Sequence, residues 1–161
     1  MTKQLGELVV ADYMTAEVIT VEDTERLTNA IRKMNVHKLS AVPVVDQQGR
    51  IVGILSSSDL IEMVHEIQSD LGSLAHVSAN TQELLLQLLV NQGDSTLVRD
   101  AMTTPVETAL ATTNIVVAAR RLVDRRYHHL PVVDDANQPV GIISSMDFVR
   151  AIADYGALLA G

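Results

Sequence analysis

Two short clusters in this chain have side chains that could do chemistry. "GILSSSD" (Gly53 to Asp59) and "GIISSMD" (Gly141 to Asp147) each place a serine, Ser56 or Ser144, three residues before an aspartate, Asp59 or Asp147, directly behind an apolar run. At a helix start this spacing is a capping box, hydroxyl and carboxylate satisfying backbone N–H groups that have no partner in the helix. The same start, with free N–H groups and a hydroxyl beside them, is also a ready anion site. Ser58 adds a further hydroxyl to the first cluster and Met146 takes its place in the second, so the two are not equivalent. Other chemistries find no support: neither cluster lies in G-x-S-x-G, there is no H-E-x-x-H, and the adjacent His128 and His129 have no recognisable third ligand. No catalytic residue and no metal ligand is assigned.

Composition narrows the field. The net charge is -8, with 12 Lys and Arg against 20 Asp and Glu, which disfavours a general phosphate-backbone binder and hence nucleic acid. Aromatics are 2% of the chain, so a purine would have to be held by aliphatic side chains and backbone. There is no Cys, which fits a reducing compartment, and cytoplasm is the expected location. "LLLQLLV" (Leu84 to Val90) is far shorter than a membrane span and the start has no signal-like apolar run, so a soluble protein without a membrane role is expected.

The elements that must position the clusters come in duplicate. A shift of 88 aligns Val10 to Ile61 with Val98 to Val149 without a gap, and about 19 of 52 pairs are identical. Matches include Met14-Thr15 with Met102-Thr103, "PVVD" at Pro43 and Pro131, and "VGI" before each serine cluster. Such a repeat reads as a duplicated supersecondary unit. Each copy reads β-α-β-β-α. A strand is expected at Val18 to Val21, then a helix capped by Asp23 or Thr24 with Leu27, Ala30, Ile31 and Met34 inward, then strands at Val42 to Val45 and Ile51 to Leu55. A second helix carries Leu60, Ile61 and Val64. The other copy repeats this 88 positions on, with Thr112 or Thr113 as cap and Phe148, Val149 and Ile152 on the last helix.

The expected boundaries are a first unit with its lead-in over residues 1-68, a helical linker over 69-97 and a second unit over 98-161. The linker holds "TQELLLQLLVNQG", a helical pattern with Thr81 as cap, Gly93 as stop and a stripe of Leu84, Leu85, Leu88 and Leu89. That stripe packs either on its own domain or on a second subunit.

A tandem β-α-β-β-α unit carrying "PVVD" before a turn and Gly-apolar-apolar-Ser-x-x-Asp after the next strand resembles a pair of CBS domains. The resemblance covers nearly the whole chain outside the first residues and the linker. It implies an α/β (α+β) fold of two units related by a pseudo-twofold axis. It also implies clefts that take adenine nucleotides or S-adenosylmethionine, and assembly into a homodimer. On this resemblance Asp59 and Asp147 would accept hydrogen bonds from ribose hydroxyls, with Ser56, Ser144 and Ser58 facing the ligand. Leu39, Ser40 and Ala41 resemble residues that line the adenine. His128 and His129 stand where related chains carry phosphate-contacting basic residues, although a solvated loop reading is equally open, and imidazole titrates close to neutral pH. Val18, Thr20, Val106 and Thr108 would complete the lining or merely pack the core.

The function so implied is a regulatory or sensor module that binds AMP, ADP, ATP or S-adenosylmethionine and modulates an unknown partner protein. The ligand is regulatory, and no cofactor is required. A ligand-free dimerisation scaffold is the alternative; an enzyme has the least support.

Overall fold

The computed structural model describes residues 5–71, 81–91 and 95–160. Its elements are β1 (Thr15–Ala16), β2 (Val21–Glu22), α1 (Leu27–His37), β3 (Ala41–Val45), β4 (Ile51–Ser56), α2 (Ser57–Leu71), α3 (Thr81–Asn91), β5 (Ala109–Leu110), α4 (Ile115–Arg125), β6 (His129–Val133), β7 (Pro139–Ser144) and α5 (Ser145–Ala160). Three short 3₁₀ turns, Leu5–Glu7, Val10–Asp12 and Val98–Asp100, belong to the lead-ins. Two sheets form, β2-β3-β4 and β1-β7-β6-β5, so the fold is mixed α and β with one sheet per copy of the repeat.

The compact units do not follow chain order. One comprises the described parts of Met1–Val18, Gly49–Ile51 and Glu107–Gly161; the other comprises Ile19–Gln48 and Val52–Val106. Each lead-in therefore sits with the other copy's elements. Val98 is fully buried in the core of the β2-β3-β4 unit, and Val10 is fully buried in the core of the β5-β6-β7 unit.

Lead-in exchange explains where the helices begin. Asp23 and Thr24 do not cap α1, whose N-cap is Arg26 with no side-chain hydrogen bond. The backbone around it is spoken for by the second lead-in: the Leu27 N–H donates to the Thr96 carbonyl at 2.9 Å, and the Glu25 and Asp23 carbonyls accept from Val98 and Arg99 at 2.9 and 3.0 Å. In the other unit Ile115 N–H donates to the Leu8 carbonyl at 2.9 Å, and the cap is Asn114, whose Oδ1 accepts from Val116 N–H at 2.9 Å. Thr113 instead closes a turn, its Oγ1 accepting from Leu110 N–H. A tertiary carbonyl satisfies the first free N–H in both, and the cap moves downstream of the expected Thr or Asp.

The first strand of each copy is shorter and later than expected. Val18 to Thr20 make no ladder; pairing is limited to Val21 with Val44 and Glu22 with Val45, in parallel. Upstream, Glu17 at φ 55° breaks the extended run. The Thr20 carbonyl accepts from Lys33 Nζ at 3.2 Å, and the Thr108 carbonyl from Arg121 Nη1 at 2.7 Å, so a helix cation takes the acceptor that a longer strand would offer to a ladder. The remaining four strands hold the expected positions to within a residue. The long strands β3 and β4 are buried continuously and alternately, as a central strand and a half-covered neighbour should be.

In the β2-β3-β4 unit, α3 packs on α1 and α2 with Leu85 and Leu89 buried, so the linker helix serves its own domain at these positions. Leu84 and Leu88 lie outside the described side chains, as does Gly93. On the second helices only part of the expected apolar face is inward. Leu60, Val64 and Ala151 are buried, whereas Ile61, Val149 and Ile152 are exposed.

Candidate functional site

Each serine cluster straddles a strand end and a helix start. Ser56 closes β4 and Asp59 lies in the first turn of α2; Ser144 closes β7 and Asp147 lies in the first turn of α5. Apolar Leu55 and Ile143, both fully buried, anchor the strand ends from which the serines emerge half-buried.

The two copies share one half of their geometry. Asp59 Oδ2 accepts from Ser56 N–H at 2.6 Å and from Ser56 Oγ at 2.6 Å; Asp147 Oδ2 accepts from Ser144 N–H at 2.8 Å and from Ser144 Oγ at 2.7 Å. In each cluster one carboxylate oxygen is spent on the helix start, which is the capping function. The other oxygen distinguishes the copies. Asp59 Oδ1 accepts from Thr103 Oγ1 at 2.6 Å. Asp147 Oδ1 faces Arg150 Nη1 at 3.5 Å, and that arginine side chain is 65% exposed.

Thr103 is a partner of the first cluster that sequence reasoning missed. It was legible as half of the repeated Met-Thr pair, to which no role was given. The pair also explains the glycine that opens each cluster. Thr103 exchanges backbone hydrogen bonds with Ile54, at 2.9 and 3.2 Å, and a Cβ on Gly53 would stand 2.5 Å from Met102 Sδ and 3.1 Å from the Thr103 carbonyl oxygen. Thr15 likewise pairs with Ile142, and a Cβ on Gly141 would stand 2.8 Å from Met14 Sδ and 2.9 Å from the Thr15 oxygen. At Gly141 the backbone contact is closer than real Cβ atoms come, and at Gly53 the backbone contact is tight and Met102 would have to move, so glycine lets the lead-in segment pass close by.

The segments before β3 and β6 meet the clusters through backbone. Ser57 N–H donates to the Ser40 carbonyl at 2.9 Å, and Ser145 N–H to the His128 carbonyl at 2.9 Å. His128 is exposed beside the start of α5. His129 opens β6, is paired in register with Ser144 and is half-buried. Burial holds the His129 imidazole below the usual histidine range; His128 pushes the same way and Asp147 opposes. A groove of about 380 Å³ opens next to His128 and Ser145, floored by Leu122, Tyr127 and Phe148.

The other expected lining residues divide. Leu39 packs half-buried against the core, Ser40 and Ser58 are exposed, and Ala41 is buried at the start of β3. Val18, Thr20, Val106 and Thr108 are all half-buried coil. Thr20 borders a cavity of about 440 Å³ that also takes in Glu22 and Glu25, carboxylates that would repel phosphate, with Lys33 ion-paired to Glu25 at 3.4 Å. Among the described residues no group of three or more His, Asp or Glu could hold a metal, and no helix is long and apolar enough to cross a membrane.

Known proteins are similar to this chain in sequence and fold. MJ1426, an uncharacterized protein of Methanocaldococcus jannaschii, is 30% identical over 157 residues, 91% of this chain and 93% of its own. The crystal structure of CBSX2 of Arabidopsis thaliana in complex with AMP superposes with a TM-score of 0.68 at 26% identity, covering 91% of this chain and 96% of that one. The CBS domain pair of MJ0100, solved with 5′-methylthioadenosine and S-adenosylmethionine, gives a TM-score of 0.67 at 22% identity over 91% of this chain and 97% of that one, a likeness that speaks for the fold. The compounds bound in these two neighbours are thus adenosine compounds. The CBS domain family matches residues 10–66 and 98–154, the two copies of the repeat, and the chain belongs to that family as a tandem CBS pair.

Proposed function

We propose that the chain is a regulatory module that binds an adenosine compound, AMP, ADP, ATP or S-adenosylmethionine, and thereby modulates a partner protein, with no reaction of its own and in the cytoplasm. The observation that carries the reading is the second cluster. Asp147 keeps Oδ1 turned away from its own helix cap while Ser144, Ser145 and His128 surround the start of a long helix. A ribose hydroxyl donating to Asp147 and a phosphate near the α5 N-terminus and His128 use those groups in the order in which they stand. CBSX2, solved with AMP, supports the ligand class.

Homodimerisation is part of the proposal. Val123, Val149 and Ile152, exposed by 76, 55 and 62%, lie on α4 and α5, and a symmetric pairing of those helices would remove apolar surface from water. The experiment is titration calorimetry of purified protein with AMP, ADP, ATP and S-adenosylmethionine, alongside light scattering. Saturable binding of at least one of them by a dimer is expected. A chain that binds none of the four and stays folded would favour a ligand-free scaffold; a monomer at micromolar concentration would remove the dimer.

A further inference from the structure

We infer that the Thr103 hydroxyl occupies the ribose-accepting oxygen of Asp59, so that this chain takes one adenosine ligand, at Asp147, and holds its first cluster closed. The inference rests on the adenosine reading above. Its basis is the lone-pair inventory of the two carboxylates. A carboxylate oxygen accepts about two hydrogen bonds. Oδ2 is filled in both clusters by the serine N–H and hydroxyl, with all four distances at or below 2.8 Å. Discrimination falls to Oδ1. On Asp59 one of its two accepting places already holds an alcohol at 2.6 Å, the same functional group a ribose would bring, delivered by a segment fixed through two backbone hydrogen bonds to Ile54, so no pair of places is left for the two ribose hydroxyls. On Asp147 it meets only a largely exposed guanidinium at 3.5 Å, which a ligand can displace at little cost.

The repeat makes the difference specific to placement. Thr15, the counterpart of Thr103, is also a threonine and also paired to the central strand of its cluster, yet it is exposed and among the described residues is not hydrogen-bonded to Asp147. The same residue type is a plug in one copy and idle in the other. The flanking groups agree. His128 stands at the position that Ser40 holds in the first copy, so the copy whose Oδ1 meets no hydroxyl also carries an imidazole there.

The test is AMP stoichiometry by titration calorimetry and equilibrium dialysis on five chains. Wild type is expected to bind one AMP per chain, Asp59→Asn one, Asp147→Asn none, and Thr103→Val two, since the isosteric valine removes the donor and keeps the packing. Thr103→Ser, which keeps the hydroxyl, is expected to stay at one, and it separates plugging from general damage if valine loosens the fold. Two AMP per wild-type chain, or a folded Thr103→Val chain that stays at one, overturns the inference and leaves the adenosine reading standing. If none of these chains binds AMP, the same stoichiometries are read with ADP, ATP and S-adenosylmethionine, and binding of none of the four by any chain overturns both.

Discussion

The two motif aspartates should separate stability from binding when each is replaced by alanine in ligand-free protein. Both variants lose the acceptor for one serine N–H at a helix start, a cap worth about 1 kcal/mol, and one half-exposed serine hydroxyl bond. Asp59→Ala further strands the Thr103 hydroxyl, which donates at 2.6 Å. A hydrogen bond to a charged group contributes roughly 1.5 to 3 kcal/mol, and partial exposure here trims it to about 1 to 2. Asp147→Ala further loses an ion pair at 3.5 Å to a 65% exposed arginine, worth about 0 to 1 kcal/mol. It also releases a carboxylate that is only 7% exposed, which offsets part of the loss. Asp59→Ala should therefore cost about 2 to 4 kcal/mol and Asp147→Ala about 1 to 2, although Asp147 is the more buried. Urea denaturation at pH 7.5 measures both, and a double-mutant cycle of Asp59→Ala with Thr103→Val should return a coupling of about 1 to 2 kcal/mol. Equal costs for the two aspartates together with a coupling below about 0.5 kcal/mol would refute the assignment of Thr103 to Oδ1.

Gly53→Ala and Gly141→Ala should each destabilise by about 1 to 3 kcal/mol in the same assay, because a lead-in carbonyl lies 3.1 or 2.9 Å from the new Cβ; a neutral result in both would mean that the lead-ins shift freely. Leu85→Ala, at a fully buried position on α3, should cost about 2 to 5 kcal/mol, and a value near zero would separate the linker helix from the core. His129 gives a pH signature. Its folded-state pKa lies below that of the unfolded chain, so the unfolded state binds the extra proton, and stability should decline as pH falls through about 6.5, before the carboxylates titrate. Replacing His129 with Gln should flatten that part of the stability profile. If phosphate sits near His129, AMP affinity in wild type should instead rise between pH 7.5 and 6, since the bound anion favours the charged ring.

Much of this fold was legible because the same short-range signals occur twice. Alternating and continuous apolar runs placed β3, β4, β6 and β7, and helical spacing placed the inward faces of α1 and α4. The misreadings have one physical source. Asp23, Thr24, Thr112 and Thr113 are good caps taken locally, but the N–H groups they would satisfy are met by carbonyls of Thr96 and Leu8, from lead-ins about 70 to 110 residues distant in sequence. The short first strands have a similar cause, the claim of Lys33 and Arg121 on backbone carbonyls. Sequence spacing is silent about partners supplied by another copy. It was silent about Thr103 for the same reason, since 44 residues separate it from Asp59.

A duplicated chain carries its own control, and comparing the copies sorts packing from specialisation. Positions that are identical in both and make equivalent contacts, such as Gly53 and Gly141 under the Met-Thr pairs, answer to a steric requirement that each unit has by itself. Ser56, Ser144, Asp59 and Asp147 belong there for their Oδ2 half, which builds the same cap twice. The cap is thus a demand both copies share, and it accounts for an aspartate in each whether or not both bind. Function then has to be sought where identical residues make different contacts or where residues differ. Thr103 against Thr15 is the first kind, and Ser40 against His128, with Ser58 against Met146, the second. Thr103 acts on Oδ1 of Asp59 itself, and the Ser40 and His128 carbonyls accept from the N–H groups that open α2 and α5, so two of the three contrasts lie at the helix start that carries the carboxylate.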